Sequence, residues 1–233
     1  MESKLEWLSE DEGRITFYED GERFLTAQVY RFGDEEAEIR LQDVVFLEKQ
    51  QKNDNMSEKI IQKMTDCVSE TFRILEEEGL TETTLVERLG TRMAEMLDST
   101  RVVSVAYKEY MMKSTIPRQK TTGCGLPFLF LTKTEDGYNC RNKENTFFCR
   151  LLNYQENRQG EHAYYLYEVE VNKKARNKGV ATVCLTELFS RLSAEMPVTV
   201  YLQVGSYNEP AVHLYKKLGF EICEELRCYV MTD

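Results

Sequence analysis

One stretch decides the fold: residues 164–181 read YYLYEVEVNKKARNKGVA. Its first half is rich in tyrosine and valine and predicts a strand that ends at Val171. Its second half is a polar loop that contains Gly179, and the apolar residues that follow recur at the spacing of a helix stripe. A strand, a glycine-containing loop and a helix N-terminus together form an arrangement that cradles phosphate groups, because the first-turn N–H groups have no partners within the helix.

The charge of this loop contrasts with the rest of the chain. Four of the six residues 173–178 are basic and no acid follows until Glu187, whereas the whole chain of 233 residues has 30 basic and 40 acidic residues and a formal charge of -10. The loop therefore suits a polyanionic ligand. The overall acidity disfavours nucleic acid and anionic membranes as partners and favours cationic partners.

A second motif follows one helix and one strand later. Residues 208–220 read NEPAVHLYKKLGF. Asn208 is a good N-cap, Pro210 fits the first turn, and Gly219 supplies the C-terminal stop. The sequence predicts a short helix here, with Tyr215 on its apolar face.

The two motifs together resemble the GCN5-related N-acetyltransferase (GNAT) family. The resemblance covers about residues 163–220 and includes the coenzyme A loop, the Glu-x-x-Val end of the preceding strand, and the helix with Asn-x-x-Ala-x-x-Leu-Tyr-x-Lys-x-Gly-Phe. Each motif alone is a weak signal, but their order and spacing together are hard to obtain by chance. The resemblance implies an acyltransferase that uses acetyl-coenzyme A as a cosubstrate. Separately, the scattered cysteines favour a cytoplasmic protein, and the sequence shows no metal-ligand cluster.

The resemblance also implies which residues bind the donor. Val169 and Val171 offer main-chain partners to the pantetheine arm, and Asn208 either meets that arm or only caps its helix. The pyrophosphate contacts fall on the loop and the first helical turn: Arg176, Asn177, Lys178, Gly179, Val180, Ala181 and Thr182.

Acyl transfer to an amine requires a neutral nucleophile, a polarised carbonyl and protonation of the leaving thiolate. Tyr215 matches the tyrosine that donates to the departing sulfur in the family, although helical spacing alone is equally compatible with a core tyrosine. Glu168 matches a carboxylate that many members carry, and Glu170 lies two residues further on the same strand. We prefer Glu168 to Glu170 as the base, with a solvated carboxylate as the alternative for both.

The remaining candidate residues favour ordinary structural roles. His162 and His213, the only histidines, are expected at the surface, and Cys184 is expected in the core. Seven cysteines without a CxxC pair indicate reduced thiols and no zinc site. The charged opening residues show no signal peptide, and the longest apolar runs are too short to span a bilayer.

The rest of the chain divides into segments by hydrophobic pattern. Residues 14–48 predict an antiparallel meander, and helices are expected from Asn55 to Gly79 and from Val86 to Asp98. Residues 99–114 are ambiguous between strand and helix. Further strands are expected at residues 128–133, 146–154, 163–171, 198–203 and 220–231, with a helix at residues 179–193. No internal repeat is evident.

We therefore predict a mixed α+β fold: a GNAT-like, mostly antiparallel sheet with helices on both faces, preceded by a β-rich segment. The expected domains are residues 1–50 for that segment and 51–233 for the acyl-CoA-binding acetyltransferase domain. The predicted reaction moves an acetyl group to a primary amine of a small molecule or peptide N-terminus, in a monomer or homodimer. The alternative is a non-catalytic module that binds coenzyme A or a protein partner.

Overall fold

The computed structural model describes residues 1–42, 58–119, 128–154 and 162–232. Along the chain these residues separate into two compact units, Met1–Glu109 with Glu225–Asp233, and Tyr110–Glu224. We refer to them as the first unit and the second unit. The boundary between them falls within two strands, β6 (Val103–Ile116) and β12 (Glu221–Met231), so each unit includes part of both.

The first half of the chain forms a meander followed by alternating helices and strands. Its elements are β1 (Glu2–Trp7), β2 (Glu12–Glu19), β3 (Glu22–Arg31), β4 (Glu36–Gln42), α1 (Glu58–Glu77), β5 (Glu82–Arg88), α2 (Arg92–Thr100) and β6 (Val103–Ile116). Strands β1 to β4 pair antiparallel in sequence order, and β5 joins β4 in parallel. On its other side β5 pairs with the C-terminal strand β12, through residues that belong to the first unit.

The second half of the chain repeats this order of elements. It comprises β7 (Leu129–Lys133), β8 (Gly137–Asn142), β9 (Phe147–Tyr154), β10 (His162–Val171), a 3₁₀ turn (Lys173–Ala175), α3 (Val180–Leu192), β11 (Val198–Gly205), α4 (Glu209–Lys217) and β12 (Glu221–Met231). Strands β7 to β10 pair antiparallel and β11 joins β10 in parallel, with β6 next to β11 in the strand order. The repeat of topology was missed because no repeat of residues accompanies it.

Each unit has its own apolar core. In the first unit, Phe17, Leu25, Ile39 and Leu85 of the sheet pack with Met64 and other residues of the two helices. In the second unit, α3 and α4 pack on one face of the sheet, against a second cluster of buried residues that includes Leu151, Leu166, Val200, Leu188 and Tyr215. These cores fix the helices that carry the site residues described below.

The mixed α+β class and the mostly antiparallel sheet agree with the sequence prediction. Most of the predicted elements of the second half are found within one or two residues of their expected ends, and residues 99–114, which were ambiguous, belong largely to strand β6. The helix start predicted at Asn55 and the end of the meander predicted at residues 43–48 lie outside the described residues. No helix in the described ranges is both long enough and apolar enough to cross a bilayer.

One local prediction was wrong, and two strands were not predicted. The expected helix from Val86 to Asp98 is a strand, β5, followed by a turn and the shorter helix α2. Gly90 has φ of +80°, and the side chain of Thr91 accepts a hydrogen bond from Ala94 N at 3.1 Å, so a new helix begins at that point. Strands β1 and β8 were missed because their sequences are polar.

Candidate active site

The site is built around a parallel strand pair that opens. Strands β10 and β11 are paired from His162 with Val198 to Tyr165 with Tyr201, and among the described residues the two strands have no further rung after that one. Both strands nevertheless continue, β10 to Val171 and β11 to Gly205. The main chain of β10 after the last rung is therefore open on its β11 side, where an extended ligand can add to it.

A β-bulge changes the course of β10 where it separates from β11. Its register with β9 shifts between Tyr167 and Glu170, and Glu168 inside the bulge has φ of +48°, a conformation that non-glycine residues rarely adopt. The guanidinium of Arg150, on the neighbouring strand β9, lies with Nε 3.1 Å from Oε2 of Glu168. The bulge is therefore accompanied by an ion pair across the two strands, which sequence reasoning did not identify.

The loop after β10 is held by its own hydrogen bonds. The Asn172 side chain accepts from Lys174 N at 3.1 Å, and the Asn172 carbonyl accepts from Ala175 N at 2.8 Å. The side chain of Arg176 donates from Nε to the carbonyl of Val171 at 3.0 Å. These bonds lead the chain from the strand into the start of α3.

The N-terminus of α3 is uncapped by any side chain. Its N-cap residue is Gly179, with φ of +76° and no side-chain cap hydrogen bond, and a Cβ built there would meet nothing within 4 Å. The first-turn N–H groups of Val180, Ala181 and Thr182 are therefore approachable. The first turn contains no acid, and the basic side chains of the preceding loop are exposed: Lys173, Lys174, Arg176 and Lys178. Helix polarity and side-chain charge both favour an anion at this point.

Helix α4 supplies a buried tyrosine. Asn208 caps the helix by accepting from Ala211 N at 3.3 Å, as the sequence predicts. Tyr215 is 7% exposed and its ring centroid lies 5.8 Å from that of Phe220. Burial, with a smaller contribution from Cys149, raises the pKa of Tyr215 to about 12, so its hydroxyl is protonated at neutral pH. Among the described residues, no hydrogen bond to this hydroxyl is recorded.

One cavity of about 1090 Å³ connects these features. It brings together eleven of the thirteen residues that the sequence nominated: Val169, Glu170, Val171, Arg176, Asn177, Gly179, Val180, Ala181, Thr182, Asn208 and Tyr215. Glu168 and Lys178 do not line it. The lining also includes Leu214, which helical spacing with Ala211 could have indicated. The contact of Arg150 with Glu168 could not be predicted, because the sequence does not reveal the register of strands.

The other candidates fall where the sequence placed them. His162 and His213 are exposed and Cys184 is fully buried. Within the described ranges, no group of three or more His, Cys, Asp or Glu side chains is arranged to hold a metal ion.

The splayed strand pair, the bulge at the point of splaying and the helix N-terminus with Gly179 as its N-cap residue all lie within one segment, and a comparison with known families matches that same segment. Residues 131–220 match the model of the acetyltransferase (GNAT) family. The predicted resemblance to that family is confirmed over this segment, and such a fold is consistent with acyl transfer. A comparison with curated proteins gives no match.

Solved structures extend the likeness of fold to nearly the whole chain. A GCN5-related N-acetyltransferase from Sphaerobacter thermophilus is 12% identical, with a TM-score of 0.60 over 95% of this chain and 80% of that one. A tandem GNAT protein from the clavulanic acid biosynthesis pathway is 10% identical, with a TM-score of 0.57 over 95% and 84%. A GCN5-related N-acetyltransferase from Kribbella flavida is 8% identical, with a TM-score of 0.56 over 90% and 87%. At these identities the likeness concerns the fold alone.

Proposed function

We propose that this protein transfers an acetyl group from acetyl-coenzyme A to a primary amine, of a small molecule or a peptide N-terminus, by direct attack on the thioester. The observation that carries the proposal is the single cavity that joins the open edge of β10, the uncapped N-terminus of α3 and the buried hydroxyl of Tyr215. A donor with an amide-containing arm, a diphosphate and a thioester has a partner for each part in that cavity.

The donor is held mainly by main-chain groups. The pantetheine arm adds along β10 beyond the last β11 rung and bonds the main chain of Val169 and Val171. The diphosphate lies at the first turn of α3, between the N–H groups of residues 180–182 and the basic loop residues Arg176 and Lys178. The Thr182 hydroxyl and the Asn208 carboxamide add polar contacts from the two helices, and the main chain of Asn177 adds one from the loop.

The reaction forms a bond between the amine nitrogen and the acetyl carbon and breaks the bond between that carbon and sulfur. The ammonium of the acceptor loses one proton before attack and the nitrogen loses a second as the amide forms, while the thiolate accepts one proton on leaving. In this proposal Tyr215, which lines the cavity, donates a hydrogen bond to the sulfur. Because its pKa is about 12 and that of an ordinary thiol is about 8.5, we expect it to stabilise the thiolate without complete proton transfer, so the proton that the sulfur takes up is the second one released by the nitrogen.

Two carboxylates remain candidates for the base. Glu170 lines the cavity, whereas Glu168 lies outside the lining and contacts Arg150. We therefore propose Glu170 as the group that takes the ammonium proton, directly or through water, with Glu168 as the alternative that the sequence resemblance favoured. We also propose a reducing compartment such as the cytoplasm for this reaction, because the seven cysteines are scattered without a CxxC pair.

Calorimetry and an amine panel test the proposal. Purified protein should bind coenzyme A and release free thiol from acetyl-coenzyme A when a suitable primary amine is present. Tyr215→Phe should lower kcat about a hundredfold and leave donor affinity nearly unchanged, because only the hydroxyl is removed. Glu170→Gln should lower kcat by a similar factor. Tyr138→Phe, which removes a tyrosine hydroxyl from the same core, is the matched control for Tyr215→Phe and should leave kcat unchanged.

The outcomes separate the two functional classes. Absence of coenzyme A binding would refute the proposal as a whole. Binding without thiol release for any amine would instead favour the non-catalytic module, and full activity in both Tyr215→Phe and Glu170→Gln would remove the roles given to those residues.

A further inference from the structure

Four tyrosine rings form a continuous row on the second unit. The ring centroids of Tyr201 and Tyr154 are 5.3 Å apart, those of Tyr154 and Tyr165 are 6.4 Å apart, and those of Tyr165 and Tyr167 are 6.5 Å apart. Adjacent rings are tilted by 33° to 51°. We call these four residues the tyrosine row.

The row lies on the sheet face that α3 and α4 leave uncovered. Tyr165 is paired with Tyr201 on β11, and Ala163, two residues before Tyr165, is paired with Tyr154 on β9. The three tyrosine side chains therefore lie on the same face of the sheet. Their strand neighbours Leu166 and Leu151 point to the opposite face and pack with the two helices. Tyr154 is 45% exposed, which leaves its ring accessible.

The row is continuous with the donor cavity. The Tyr165–Tyr201 rung is the last one before β10 and β11 separate, and Tyr167 lies beyond it on the open part of β10. Glu170 is paired with Phe148 on the same face as the row, and it also lines the donor cavity. A molecule that lies on the tyrosine row therefore has its end next to the cavity where the thioester is proposed to lie.

We propose that the tyrosine row binds the acceptor and selects a primary amine carried by a flat aromatic ring and bearing a single positive charge. This inference rests on the proposed acetyl transfer and names its acceptor class. Ring separations of about 4.5 to 7 Å are those at which aromatic groups associate, so a flat ligand ring joins the row at favourable distances. Tyrosine faces and nearby carboxylates also attract an ammonium group.

The charged groups on this face determine how many charges the acceptor carries. Glu170, which lines the cavity, attracts the ammonium at the end of the row that is next to the cavity, whereas Glu168 is already paired with Arg150. Arg150, paired in register with Tyr167, places a guanidinium on the same face. A second ammonium further along the acceptor would meet that guanidinium instead of a free carboxylate, which disfavours a polyamine.

A calorimetric titration with three amines tests the inference on the full chain. The probes are 2-phenylethylamine, n-butylamine and 1,4-diaminobutane, each titrated with and without coenzyme A. We expect 2-phenylethylamine to bind at least about fivefold more tightly than either aliphatic amine, because only it presents a ring to the row.

Variants of one exposed ring show whether the row is responsible. Tyr154→Leu should remove most of the preference for 2-phenylethylamine, whereas Tyr154→Phe should retain it because the ring remains. Tyr165→Leu should act in the same direction. Tyr30→Leu, at a half-buried tyrosine of β3 in the first unit, is the control and should leave the preference unchanged.

Equal affinities for the three amines, tighter binding of the diamine, or a preference that survives both leucine variants would overturn the inference. A separate coenzyme A titration of the same preparation tests the proposed function. If coenzyme A binds but the amine preference is absent, only the acceptor class fails. If coenzyme A does not bind, the acetyl transfer fails, whatever the amines show.

Discussion

The two units contain the same succession of elements but only one carries the proposed donor site. In the first unit β4 and β5 are a parallel pair, and in the second unit β10 and β11 are the equivalent pair, with a helix between the strands and another after them. The second unit joins its strand to its helix through a loop with four basic residues in six. The corresponding residues 43–57 of the first unit contain two basic and three acidic residues.

The difference is sharpest at one position of the second helix. Tyr215 is the seventh residue after the N-cap Asn208 of α4, and the seventh residue after the N-cap Thr91 of α2 is Asp98. Asp98 accepts a hydrogen bond from the Tyr229 hydroxyl at 3.0 Å and pairs with Arg227 at 2.5 Å. At this position the first unit has an aspartate that bonds the C-terminal strand, and the second unit has a tyrosine that lines a cavity. The equivalent helix position thus stabilises the structure in one unit and, we propose, takes part in catalysis in the other.

The largest expected effect is on stability and concerns Tyr229, the tyrosine that bonds Asp98. Tyr229 is 1% exposed, so Tyr229→Ala should lower the free energy of unfolding by about 3 to 5 kcal/mol through the cavity it leaves. Urea denaturation measures this change. Tyr229→Phe, which loses only the bond to Asp98, should cost about 1 kcal/mol. Folded Tyr229→Ala protein should retain its affinity for coenzyme A within about twofold, and a large loss of affinity would show that the first unit shares in donor binding.

A smaller effect is expected at a matched pair of glycines. Gly179 and Gly90 both precede a helix, have φ of +76° and +80°, and have open space where a Cβ would lie. Alanine at either position should cost about 1 to 2 kcal/mol of stability because of the left-handed backbone. Only Gly179→Ala should weaken coenzyme A binding, by about tenfold, because its methyl group lies beside the N–H groups proposed to hold the diphosphate. Equal affinities in the two variants would contradict that placement.

The sequence predicted the second unit better than the first for a physical reason. Residues 164–181 and 208–220 combine hydrophobic period, turn residues and caps that agree with each other, so strand, loop and helices were placed correctly. The segment from Val86 to Asp98 has apolar residues that fit a helix, but Gly90 and Thr91 interrupt it, and the strand before them is stabilised by pairing with both β4 and β12. Such pairing between distant residues outweighs local periodicity and cannot be seen in the sequence.

The site shows the same limit. Main-chain groups of the loop and first turn could be nominated because a phosphate cradle is local in sequence, and the structure gathers nearly all of them around one cavity. The pairing of Arg150 with Glu168 and the tyrosine row depend on the register of β9, β10 and β11. Register was not derivable from the strands' alternation, so neither the ion pair nor the alignment of tyrosines from three different strands was predicted.

The smallest expected effect distinguishes two uses of a helix cap. Thr91 and Asn208 each accept a hydrogen bond from the N–H of the third residue after them, at 3.1 and 3.3 Å. Replacing either by alanine should therefore lower the free energy of unfolding by about 1 kcal/mol in thermal or urea denaturation. Asn208 also lines the cavity, and its carboxamide has a donor that the cap does not use, so Asn208→Ala should in addition weaken coenzyme A binding about threefold. Thr91→Ala should leave that affinity unchanged, and since the two variants are matched in stability, an equal affinity for both would reduce Asn208 to a cap alone.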